Sequence, residues 1–267
     1  MLGRLSSLSL IVVFVCALQP GAPAETVGVR YAEGTLHGFL ELRSQEGRVL
    51  AEGDLVQNVH GDRVTARLTF HFKDGSIDDE TTVFSQRHIF RLITDHRIQK
   101  GPSFPQPMDL SIDTRSGEIT VRSIGKDGKE DVKTSHLDLP PDLANGLVTI
   151  IIKNIRAATP ETKVSMLVAT PKLRLVKLAI SPHGEETFSL ADTPRKALHF
   201  EIKVELGGIS GMVAPMIGMQ PPNVQIWIVG GQAPVFLREE GQTYPDGPTQ
   251  TIQLVSPVWP NSSRASN

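Results

Sequence analysis

From Thr35 to about Lys133 polar and apolar positions alternate with a period of two, the signature of strands with one buried face. The clearest stretch places Val64, Ala66, Leu68, Phe70 and Phe72 on one side and Thr65, Arg67, Thr69 and His71 on the other. An Asp74-Gly75 pair follows it and Asp127-Gly128 recurs downstream, both hairpin turn signals. Gly47, Gly61 and Gly117 mark further reversals. The pattern predicts strands over 35–43, 48–59, 63–72, 77–86, 88–97, 108–114, 118–124 and 129–136. Pro102, Pro105 and Pro107 interrupt the meander, and three prolines in nine residues place 99–107 in an extended loop across an edge or rim.

The periodicity then changes. Pro140 and Pro141 follow Asp138 and Leu139, which places proline at a helix start where its missing N–H is not needed. Leu143, Leu147, Ile150, Ile151 and Ile155 form one apolar face, and Val148 and Ile152 carry it most of the way round. The spacing predicts a long helix over 140–155, covered on more than one side. Strands resume over 163–170, 172–181, 185–191, 197–206, 223–230, 233–238 and 249–256. The stretch 172–181 is apolar on both faces, as in a strand covered from both sides. Together these predict a mainly β fold: an antiparallel meander forming an incomplete (half) barrel, with one long apolar helix packed in it. One β-rich domain spans 25–256, and 257–267 forms a flexible C-terminal tail.

Composition adds a compartment. Arg4, an apolar run from Leu8 to Leu18 and Ala22-Pro23-Ala24 read as a signal peptide over 1–24, cut before Glu25. The run is shorter than the roughly 20 residues of a membrane span. The single cysteine, Cys16, lies inside it behind Val15, where lipid-attachment signals carry Ala or Gly. A cysteine-free exported domain without disulfides fits the bacterial periplasm. The formal net charge of −2 becomes one unit more negative when Arg4 leaves, so neither nucleic acid nor an anionic membrane surface is an expected partner.

No catalytic constellation emerges. Gly208-Ile209-Ser210-Gly211 resembles a nucleophile elbow, but Met212 stands where the second glycine belongs. Eight histidines are scattered singly, without metal-ligand spacing, and His71 and His199 read as solvated. Asp78 and Glu80 share a strand face and read as a charged edge that resists aggregation rather than a glycosidase pair. No nucleotide or phosphate fingerprint appears, so the expectation is no enzyme, no metal and no cofactor.

An exported, cysteine-free meander with a very apolar helix between two strand runs resembles the bacterial lipoprotein carriers of the LolA and LolB type. It is also similar to uncharacterised periplasmic domains of the DUF3108 type. The resemblance spans Thr35 to Val255 as architecture and matches no diagnostic motif. It implies a concave apolar groove able to hold an acyl chain or lipid. The residues expected to line that groove are Leu143, Leu147 and Ile151 of the helix and Val176 and Leu178 of the two-sided strand. Met212, Met216 and Met219 of the charge-free stretch Gly207 to Pro222 join them, as a mobile lid or a fixed core plug. The expected function is an exported envelope protein binding a hydrophobic ligand. The alternatives are a non-enzymatic interaction or scaffold protein with a filled core and, more remotely, a hydrolase.

Overall fold

Alternation of polar and apolar side chains along the chain produces a single antiparallel sheet in the computed structural model, which describes residues 26–124, 129–169, 173–190, 193–205 and 221–255. The first half contributes β1 (Leu36–Arg43), β2 (Val49–His60), β3 (Arg63–Phe72) and β4 (Ile77–Ser85). It continues with β5 (Arg91–Lys100), β6 (Met108–Asp113), β7 (Glu118–Ile124) and β8 (Glu130–His136). A short helix α1 (Val148–Asn154) separates these from β9 (Thr162–Val168), β10 (Arg174–Leu190) and β11 (Thr193–Glu205). The last strands are β12 (Val224–Val229), β13 (Val235–Gln242) and β14 (Thr249–Val255). The expected signal peptide, the C-terminal tail and the stretch carrying Ser210, Met212, Met216 and Met219 lie outside the described residues.

The order across the sheet is β8-β7-β6-β5-β4-β3-β2-β1-β14-β13-β12-β11-β10-β9. Two runs of consecutive hairpins are therefore joined where the first strand meets the last, with Phe39 opposite Val255 and Arg43 opposite Thr251. The sheet does not close, because β8 and β9 stand at opposite ends of it. The architecture is mainly β and barrel-like, as the alternation predicts. The β3–β4 turn shows why the hairpins form where they do. Gly75 adopts φ +85, a left-handed conformation that suits glycine, and the Asp74 carboxylate accepts the Ser76 N–H at 2.9 Å.

Two expectations are corrected. Strands predicted over 172–181 and 185–191 are one strand, β10, because the Pro182–Gly184 step is absorbed as a bulge. The long helix over 140–155 shrinks to seven residues. Gly146 sits at φ +65, a left-handed position that a right-handed helix cannot pass through. The residues before it pair with β9 instead: Ala144 N–H donates to Ser165 O at 2.8 Å and Ser165 N–H to Asp142 O at 3.1 Å. What looked like the first turns of a helix is a short parallel segment laid along the free edge of β9.

One core cluster joins Val64, Phe84, Leu92, Leu110 and Ile119 from the β3–β7 wall to Val164, Val176, Phe200 and Ile226 from the β9–β12 wall. Residues from Leu143 to Ile155 lie in the same cluster, so the two halves of the sheet face each other across this segment. A second cluster closes one end, where Phe104 of the proline-rich loop packs edge-on against Phe72 at 5.2 Å and Tyr244 at 5.6 Å. The loop does run across the rim, and it turns a phenylalanine inward as it does so.

Candidate functional site

The five described groove candidates are assembled in one place. Leu143, Leu147, Ile151, Val176 and Leu178 all belong to the main cluster, and none is more than 4% exposed. The segment from 142 to 155 thus occupies the space between the walls as a plug. Polar side chains pin it at both ends. At the start, the Asp142 carboxylate accepts from Lys177 Nζ at 2.6 Å and Ser165 Oγ at 2.9 Å. Asn145 bonds both backbone groups of Leu167 at 2.9 Å, replacing the ladder that a strand would supply. At the far end, Asn154 Oδ1 accepts the backbone N–H groups of Arg30 and Tyr31 at 2.8 Å each. Lys153 forms an enclosed ion pair with Glu33 at 2.5 Å. The sequence places a helix start at Asp138 to Pro141, whereas the side chains of Asp142 and Asn145 act as braces to a neighbouring strand.

A second feature escaped the reading of the sequence. Asp78 and Glu80 do share a face, but β4 lies between β3 and β5 rather than at an edge, and that face points inward. Arg97 of β5 grips Asp78 with two parallel bonds of 3.0 and 2.8 Å. Gln99 Nε2 donates to the same carboxylate at 2.8 Å and to the Thr243 carbonyl at 2.9 Å. Arg97 reaches that carbonyl as well, at 3.3 Å. Thr243 follows β13, which the sheet order separates from β5 by β4, β3, β2, β1 and β14. The bonds therefore cross the interior and hold the curled sheet to itself.

Three further carboxyls crowd this cluster. Burial pushes Asp95 well above the ordinary aspartate value, and the Glu80 charge adds to the rise, while the Thr82 hydroxyl (2.8 Å) and Arg97 oppose it. Burial raises Glu80 too, against the pull of Arg97 and with a push from Asp78. Glu239 of β13 rises to about 7, chiefly by burial, with Arg97 opposing and Glu80 adding. Burial works against the Arg97 charge, but Asp78 and Glu80 outweigh it and hold the guanidinium above its usual value. Four carboxyls face one cation, and with Glu239 pushed up to about 7 the cluster holds a proton into the neutral range. Gly146 of the plug abuts it: a Cβ there would stand 1.9 Å from Thr82 Oγ1 and 2.8 Å from Asp95 Oδ1.

Elsewhere, His199 is not solvated as expected; its ring stacks on Trp227 with centroids 4.7 Å apart and planes 6° off parallel. An open hollow of about 540 Å³ is lined by Arg48, Leu50, Phe72 and Lys73, and none of the described groove candidates borders it. Among the described residues no group of three or more His, Cys, Asp or Glu side chains could hold a metal ion. No described helix is long and apolar enough to cross a membrane.

No family model matches the chain, and no curated protein matches it. Among solved structures it is similar to a crystal structure described as a β-barrel-like protein of domain of unknown function DUF1849 from Brucella abortus. The two are 10% identical, with a TM-score of 0.44, over 84% of this chain and 98% of that one. That description names neither the lipoprotein carriers nor the DUF3108 type, so what is supported is a β-barrel-like fold.

Proposed function

We propose that this chain is an exported, non-enzymatic envelope protein that works through its outer surface, its interior being filled by its own plug. One observation carries the reading: Leu147, Ile151 and Ile152 sit between the two walls of the sheet with at most 4% exposure. The braces through Asp142, Asn145 and Asn154 support it, because displacing the plug would strand their buried polar partners. A surface suited to a partner is the β10–β11 ribbon. After Ile180 β10 has no β9 partner and before Ala197 β11 has no β12 partner, leaving Glu185, Glu186, Thr187, Arg195 and Lys196 exposed. Two strands alone are marginally stable, which suits a segment that gains neighbours on binding.

A photo-crosslinker at Thr187 or Arg195 in cells is expected to trap a defined envelope protein, whereas one at Arg67 on the outer face of β3 is not. Lipid binding is the second reading, supported by the described groove candidates falling in one apolar cluster. It predicts co-purifying lipid by native mass spectrometry and uptake of a fluorescent fatty acid by delipidated protein. Bound lipid together with empty crosslinks would overturn the first reading in favour of the second.

A further inference from the structure

We propose that the interior cluster of Asp78, Glu80, Asp95, Arg97 and Glu239 is a proton-operated latch, which joins the β4–β5 wall to β13 and the β13–β14 turn in mildly acidic conditions and loosens that joint as the pH rises. The latch has a defined mechanical position. Arg97 and Gln99 both end on the Thr243 carbonyl, so the strand that carries them is tied across the interior to the turn after β13. Thr243 Oγ1 in turn donates to Gln250 Oε1 at 2.8 Å, which extends the tie into β14.

The charge balance makes the joint sensitive to protons. Asp78 takes the guanidinium for itself through its paired bonds, and Glu80, Asp95 and Glu239 are left with what remains of that one positive charge. Two of them come from β4 and β5 and the third from β13, so repulsion between ionised forms acts across the joint itself. The charged groups acting on the three carboxyls are Arg97, Asp78 and each other. The inner positions of β3, which neighbours β4, are apolar, Ala66, Leu68 and Phe70, and supply no charge.

The direction follows from linkage. Carboxyls whose folded-state values lie above their unfolded ones bind more protons folded than unfolded. Their favourable effect is complete below the unfolded value, 4.5 for a glutamate, and is lost as pH rises through the folded value, about 7 for Glu239. Stability should fall from pH 5 to 8, the opposite of what salt-bridged carboxylates with lowered values would give.

The experiment is a pH series of thermal melts on the mature chain, paired with hydrogen exchange resolved by peptide. Wild-type protein is expected to melt several degrees lower at pH 8 than at pH 5.5. After correction for intrinsic rates, peptides covering 91–100 and 236–250 should lose protection over that interval before β9–β11 do. Glu239→Gln should raise the melting temperature at pH 8 and flatten the profile, and Glu80→Gln gives a second, independent isostere should the first fold poorly. A profile equally steep in both variants, or protection lost uniformly across the sheet, would overturn the latch. Neither outcome depends on which outer partner the protein has.

Discussion

Arg97 is the residue on which the interior charge rests. Replacing it with methionine keeps much of the volume and strands four carboxyls. Breaking a buried ion pair from one side costs about 3–5 kcal/mol, so urea denaturation at pH 8 should show a loss of that order. At pH 5.5 the loss should be smaller, because Glu239, whose carboxyl is pushed up to about 7, is then mostly protonated and adds less uncompensated charge. Gly146→Ala tests a different single position. Its φ of +65 and the close approach to Thr82 predict a destabilisation of at least about 1–2 kcal/mol, read from the same denaturation curves. The sequence shows that Asp78 and Glu80 share a face but not that the face is interior. Phe84 lies with them, while Ile77 and Val83 lie opposite, so β4 carries apolar side chains on both sides and its hydrophobic pattern does not say which is inside.

Single elements depend on how well they are packed and braced. Leu147 is fully buried at the head of the helix, and Leu147→Ala should cost about 2–5 kcal/mol. Phe104→Ala should cost about 3–5 kcal/mol although it lies in a loop, since it closes the second core cluster. Thermal melts of the two variants would check both. Asn154→Ala removes the acceptor for two backbone N–H groups, and limited proteolysis should then cut near Arg30 and Tyr31 in a chain that remains folded. At this scale the sequence is legible where alternation is strict, as in β3 and β11. It misleads where a side chain substitutes for backbone geometry. Asp138 to Pro141 have the composition of a helix start, yet Asp142 and Asn145 just after them bond β9, and the apolar run behind is helical for only seven residues. Pro182 and Gly184 have the composition of a turn, yet the strand passes through them as a bulge.

For the whole molecule, the decisive pairing is the most distant one along the chain. β1 and β14 stitch two hairpin runs into one sheet, and no local pattern foretells that contact. Strand number and antiparallel class come from local periodicity, whereas strand order depends on which free edges find each other, so the barrel-like class was legible and the stitching was not. Deleting 249–255 should therefore leave two runs with new open edges, and far-UV circular dichroism with size exclusion should report aggregated or unfolded chain. The central claim is that the interior is permanently occupied by the chain's own plug. Hydrogen exchange of the amides of Ile151, Ile152 and Ile155 in the purified protein tests it most directly. A fixed plug predicts exchange only through global unfolding, at the same free energy as the β3–β4 amides. Exchange of the plug by a separate opening several kcal/mol below that, slowed further by added fatty acid, would contradict the account and make the interior a ligand site.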